Sequence, residues 1–334
     1  MAFSMSPKEN YLACLHHQPH EYTPAQGIDA VVGGMMMPIE RGENGAGTDA
    51  FGVNWVAPLS GGFGAALPKP GEFMLDDVTK WKKVIKMPDL SIYPWEEVSA
   101  IEDSMWDRDT KVVDIWHANS IYERMATFMG FEGALLAMAL EPEASFELLS
   151  ALADWRIEML KYFAKYYKPD TYMYFDDVAA ERMLFMSPET YRTLIKPLHI
   201  RIVNACKELG IIPIQHTCGK ADELIQDMVD EGNDGWHSVQ STNDVAGIIE
   251  KYGDEFVLIG GYNTTGAPGL ETASEEEVRA EVRRCFAEYG KYGKGYIFSG
   301  LVVTTLDPAN PMYMGPLNDV INEEAAIIRA EMSA

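Results

Sequence analysis

The sequence predicts an α/β chain folded as a (β/α)8 barrel, a TIM barrel, with an amino-terminal helical and irregular cap. Three observations predict it. From about residue 112, short apolar runs alternate with amphipathic helices, and each run ends in small or polar residues. A length of 334 residues suits one such barrel. A doubly wound sheet is the competing architecture, but no Gly-x-Gly-x-x-Gly turn follows any of the runs.

Residues 5–17 read as a short helix opened by Ser6-Pro7. Residues 33–80 follow, rich in Gly, Pro and Met, as in Gly33-Gly34-Met35-Met36-Met37, Gly61-Gly62 and Pro68-Lys69-Pro70. That stretch is poorly periodic and long for a connection, which marks a cap or lid on a single domain spanning 1–334. The apolar runs 112–116, 172–175, 211–214, 256–259 and 296–298 read as strands. They lead into His117-Ala118-Asn119-Ser120, Asp176-Asp177, His216-Thr217-Cys218-Gly219, Gly260-Gly261-Tyr262-Asn263 and Ser299-Gly300. Helix 187–209 starts at Ser187-Pro188-Glu189 and stops at Gly210; helix 274–289 has Ser274 and Glu277 spaced as a capping box, with Gly290 as its stop. In a parallel barrel, chemistry sits on the loops that follow the strands, where all these polar clusters fall.

The formal net charge of −24 argues against nucleic acid and anionic membrane as partners, and against substrates with many carboxylates. No secretory signal pattern opens the chain, and no apolar run approaches the roughly 18–20 residues of a membrane span. Four cysteines in a chain of this length do not make a disulfide framework, so a reduced, cytoplasmic protein is expected. The oligomeric state is left open, a homodimer included.

His216 and Cys218, two residues apart past a strand, form a half-site for a thiophilic metal, with an inert turn as the plainer alternative. The other thiols have packing explanations. Cys285 shares a helical face with Val278, Val282 and Phe286, Cys206 with Ile202 and Leu209, and Cys14 lies among Tyr11, Leu12 and Leu15. Adjacent strand residues point opposite ways, so one of Asp176 and Asp177 faces the barrel axis as metal ligand, acid or anchor. Glu181 is a further catalytic candidate. His117, His237 and Asn263 at strand ends are substrate-binding candidates, each with a structural role as the alternative. Met36, Trp55 and Tyr174 would line an apolar pocket for a flat ligand, or simply fill core.

Taken together, Tyr174-Phe175-Asp176-Asp177, Ser187-Pro188-Glu189, Pro197, Gly210, His216-Thr217-Cys218-Gly219, Asn243-Asp244, Tyr252-Gly253 and Gly260-Gly261 resemble the uroporphyrinogen decarboxylase superfamily. The likeness covers most of the chain from about residue 110 and implies a barrel with its site at the C-terminal strand ends. The decarboxylase branch binds a polycarboxylate through an arginine-rich amino terminus, yet Arg41 is the only arginine before Arg108. The corrinoid-dependent methyltransferase branch is the closer likeness. It implies zinc on His216 and Cys218, plus a second cysteine near the last strands. Here that region reads Tyr296-Ile297-Phe298-Ser299-Gly300, without cysteine. Exchanging a thiolate for a carboxylate or water makes zinc a harder Lewis acid, which suits an oxygen-bearing methyl donor. The resemblance therefore implies methyl transfer from a methyl ether, such as a methoxylated aromatic, to the cobalt(I) of a corrinoid. Asp176 or Asp177 would complete the metal site or protonate the leaving oxygen. No Asp-x-His-x-x-Gly string for a cobalamin ligand occurs, so the corrinoid is expected on a separate carrier protein, docked under the 33–80 lid. Transfer to a thiol, or a barrel that only binds its ligand or carrier, are the alternatives.

Overall fold

Short runs of β-branched, aromatic and glycine residues make seven strands: β1 (Ala30–Gly33), β2 (Val112–His117), β3 (Thr171–Phe175), β4 (Ile212–His216), β5 (Gly235–Val239), β6 (Val257–Gly261) and β7 (Tyr296–Ser299). Each pairs in parallel with its predecessor in the chain. The computed structural model describes residues 3–37, 39, 46–56, 66–304 and 314–333. At the seam, the Phe298 N–H of β7 donates to the Pro24 carbonyl at 2.8 Å, and Ala25 bridges Phe298 in parallel just before β1. The sheet therefore curls into a barrel. It differs from the expected eight-stranded count by showing seven strands among the described residues. The alternation also begins at residue 30 rather than 112, because the Val31-Val32 pair before Gly33-Gly34 is too short to read as a run.

Strand alternation sorts the core into two shells. Inside the barrel, Val112, Met173, Ile212, Ile214, Val257, Ile259 and Ile297 pack with Tyr11, Cys14 and Leu15. Those last three come from the helix Pro7–Leu15, whose Ser6 and Glu9 form a reciprocal capping box. That helix seals the N-terminal end of the barrel. Outside, Ile115, Tyr172, Tyr174, Trp236 and Leu258 face the helix layer, which also buries Cys206 and Cys285. The helical stretch expected over 187–209 runs from Pro188 to Glu208 with a π-turn at Tyr191–Ile195. Pro197, which has no N–H to donate, stands two residues past the end of that turn.

The described parts of 33–80 are folded. Gly47–Thr48, Asn54–Val56 and Leu67–Pro68 form a small antiparallel sheet. It is anchored to the helix Tyr122–Met129 by a fully buried pair between Asp49 and Arg124. Arg41 and Gly61-Gly62 lie outside the described residues. No described helix is long and apolar enough to cross a membrane.

A buried polar network ties the outer shell together. His199 Nε2 lies 2.8 Å from Asp176 Oδ2, and the Tyr191 hydroxyl donates to Glu231 Oε1 at 2.7 Å. Burial pulls the imidazole toward neutrality, but its bonds to Asp176 and Glu231 outweigh that and raise its pKa to about 9. The native protein thus holds a proton on His199 that the unfolded chain releases near 6.5. The resulting stabilisation is fully present below that pH and is lost as pH rises through about 9. Urea melts should show native stability falling by up to about 1.4 kcal/mol per pH unit across this window. His199→Gln should flatten that slope; equal slopes in the two proteins would contradict the assignment.

Candidate metal centre at the barrel mouth

The parallel register sets Phe175, His216 and His237 side by side at the C-terminal ends of β3, β4 and β5. The Phe175 and His216 rings stack, with centroids 3.7 Å apart at 16°. His216 Nδ1 is 2.7 Å from His237 Nδ1. On its other edge, His216 Nε2 lies 3.5 Å from Cys218 Sγ and 3.8 Å from Asp177 Oδ1. Asp177 Oδ1 also accepts the Cys218 N–H at 2.7 Å. The donor atoms of Asp177, His216 and Cys218 all fall within 4.8 Å of one another. Tetrahedral zinc, with bonds of about 2.0–2.3 Å, holds its ligand atoms roughly 3.3–3.6 Å apart. The two His216 distances lie within a few tenths of an ångström of that spacing, while the Asp177 and Cys218 donors, within 4.8 Å, would draw together around such an ion. The third ligand that cysteine does not provide is thus offered by Asp177.

The loop carrying Cys218 is held on several sides. Thr217 Oγ1 accepts from the Val178 N–H at 3.0 Å, Trp236 Nε1 donates to the Thr217 carbonyl at 2.9 Å, and Asn243 Nδ2 donates to the Gly219 carbonyl at 2.9 Å. Gly219 has φ +85°, and a Cβ there would stand 2.4 Å from the Ala180 carbonyl oxygen. Only glycine fits.

Burial sets the electrostatics. It pushes His216 well below the ordinary histidine range, with the neighbouring His237 adding to the effect, and takes His237 down to about 3. It raises the Cys218 thiol, helped by the charges of Asp177 and Glu123. It also lifts Asp177 to about 6 against the pull of the Cys218 N–H, while the charge of Asp176 adds to the rise. All four groups are pushed toward their neutral forms, so a cation binding there would displace protons from the thiol and the carboxyl. Asp177 keeps a third of its side chain exposed, so the cluster opens to solvent on that side.

The adjacent aspartates diverge as strand geometry requires. Asp177 joins the triad, whereas Asp176 is fully buried and its carboxylate accepts the N–H groups of Tyr122 and Glu123 at the start of the helix that follows β2. That placement takes Asp176 out of reach of a substrate at the mouth. Glu181 is exposed on the loop that reverses at Ala180–Met183, and the structure does not bring it to the triad. His117 turns outward to Tyr172 and Arg156, and Tyr174 turns outward to Asn233 at 2.9 Å. Both occupy the layer between strands and helices. Trp55 fills the cap, with Nε1 on Asp49 at 2.9 Å, and so does not face a ligand at the mouth. Asn263 closes its own turn through Gly266 N at 2.8 Å. Met36 stays half exposed on the rim after β1.

Sequence reading passed over Phe175 and Trp116, whose rings lie 5.7 Å apart, and over Asp114, buried beneath them with Trp116 Nε1 and Thr171 Oγ1 as donors. A lone carboxylate inside the run 112–116 was the available signal. Glu123, close enough for its charge to act on Cys218, gave none.

A model described as uroporphyrinogen decarboxylase (URO-D) matches residues 116–305, more than half of the chain. The chain belongs to the URO-D family. Among solved structures, a methyltransferase from Methanosarcina mazei superposes with a TM-score of 0.70 at 14% identity, covering 99% of this chain and 100% of that one. It shares the fold over full length. A D-psicose 3-epimerase from Clostridium cellulolyticum H10 reaches a TM-score of only 0.40 at 10% identity, covering 72% of this chain and 84% of that one. No curated protein matches the sequence.

Purified protein should carry close to one zinc per chain, measured by elemental analysis, and Cys218→Ala or His216→Ala should lose it. Gly219→Ala should stay folded yet weaken zinc by roughly 10-fold or more in chelator competition, because it moves the ligand loop. Unchanged affinity would contradict the role given to that loop.

Proposed function

We propose that this chain is a methyltransferase of the URO-D family that takes the methyl group of a methyl ether, of the methoxylated-aromatic class, and passes it to the cobalt(I) of a corrinoid held by a separate carrier protein. The observation that carries this reading is the donor set of one carboxylate, one imidazole and one thiol at the barrel mouth. Zinc held by Asp177, His216 and Cys218 would supply Lewis acidity toward an ether oxygen, where a second thiolate would favour holding a sulfur nucleophile.

The remaining work falls to the chain's own residues. Phe175 and Trp116 make an aromatic floor that excludes water beside the triad. Met36 on the rim offers a polarizable contact for a flat ring. Asp177, with a third of its side chain exposed, marks the side from which the ether would approach. The corrinoid would supply the nucleophile that takes the methyl group as the carbon–oxygen bond breaks. The oxygen would keep the carbon–oxygen bonding pair and take its proton from water. The open mouth would admit the carrier. The −24 charge and the sparse amino-terminal arginines favour a substrate of low charge over a porphyrinogen with many carboxylates.

The test mixes the protein with reduced cobalamin and a panel of methyl ethers, methylamines and thioethers, following methylcobalamin by its absorbance. Turnover with methoxylated aromatics is expected, and Cys218→Ala or Asp177→Ala should lower it by roughly 10²-fold or more. Demethylation of methylcobalamin by thiols, without any ether reaction, would overturn the proposal in favour of a thiol acceptor.

A further inference from the structure

The ring of His216 is held by two contacts of different kinds. Stacking on Phe175 at 3.7 Å fixes its plane but not which edge of the ring faces Cys218 and Asp177. A ring turned over by half a revolution would stack equally well. The contact that tells the two orientations apart is the 2.7 Å approach of His216 Nδ1 to His237 Nδ1. Both residues are more than nine-tenths buried. Two nitrogens this close need one proton between them, so one ring donates and the other accepts. A neutral imidazole carries a single proton, and the nitrogen that holds it cannot also offer a lone pair to a metal. If His216 Nε2 is to face Cys218 Sγ and Asp177 Oδ1 as a bare lone pair, its proton must sit on Nδ1. His237 Nδ1 must then be the acceptor, with the proton of His237 on Nε2.

We infer that His237 is a positioning residue for the metal centre: its unprotonated Nδ1 accepts the His216 Nδ1–H and thereby fixes both the ring orientation and the tautomer that present Nε2 to zinc. The inference rests on the metal reading of the Asp177, His216 and Cys218 triad. It assigns to His237 the part that a carboxylate or backbone carbonyl plays behind many zinc-bound histidines. It also replaces the substrate contact expected of His237 from sequence. The register that pairs His216 with His237 across β4 and β5 brings the acceptor into place.

Asn and Leu have nearly the same shape, and only Asn offers an oxygen near the position of the lost Nδ1. Zinc affinity of wild type, His237→Asn and His237→Leu, by competition with a chromophoric chelator, therefore separates hydrogen bonding from packing. Affinity should fall about 10- to 100-fold in His237→Leu and stay close to wild type in His237→Asn. Equal losses in the two variants, or no loss in His237→Leu, would overturn the inference while leaving the metal site standing. Wild type that binds no zinc would instead overturn the metal reading itself. Long-range proton–nitrogen NMR of the unmutated zinc-loaded protein gives a second readout that does not depend on how the variants fold. His216 should carry its proton on Nδ1 and His237 on Nε2, and the reverse assignment would overturn the inference.

Discussion

The parallel register across β3, β4 and β5 is the constraint on which the site depends. It sets Phe175 beside His216 and His216 beside His237, in one layer at the C-terminal end of the barrel. A slip of one residue in β4 would turn His216 toward the helix layer and Gln215 toward the axis. The backbone continues the pattern past the strand ends: Asp176 N–H donates to the His216 carbonyl at 3.0 Å, and Thr217 N–H to the His237 carbonyl at 2.8 Å. Because the ladder extends this far, Asp177 and Cys218 emerge side by side on neighbouring loops.

What the register places, burial holds in neutral form. The same desolvation that keeps both histidines neutral also keeps the thiol and, in part, the Asp177 carboxyl protonated. A buried set of this kind binds a divalent cation by exchanging protons for it, which couples occupancy to the electrostatics of the mouth. The outer-shell network behaves differently. There Asp176 and Glu231 hold His199 as a cation. Two neighbouring aspartates thus part ways: Asp176 stabilises the scaffold, and Asp177 joins His216 and Cys218 at the barrel mouth.

Much of this was legible in the sequence for plain physical reasons. Period-two alternation and capping residues survive any change of tertiary context, so the barrel, the Ser274–Glu277 capping box and the three buried thiols Cys14, Cys206 and Cys285 follow from pattern. The divergence of Asp176 and Asp177 follows from the pleat. Which of the two faced inward could not be read, because that depends on the register with β4. Trp55, His117 and Tyr174 look like ligand contacts in sequence because aromatic and imidazole groups suit core and site equally. The buried partners of His117 and Tyr174, Arg156 and Asn233, lie far away along the chain, and Asp49, six residues before Trp55, carries no mark in sequence of facing its indole. The first strand escaped notice because four residues carry too little periodicity, and His199 because its carboxylate partners come from two other loops.

X-ray absorption at the zinc edge of the purified protein tests the central claim most directly, that one thiolate, one imidazole and one carboxylate hold the metal. The account predicts a single sulfur at about 2.3 Å with the remaining ligands nitrogen or oxygen at about 2.0–2.2 Å. Two sulfur ligands, which would require Cys285 to leave its helix face, or protein that takes up no zinc, would contradict it.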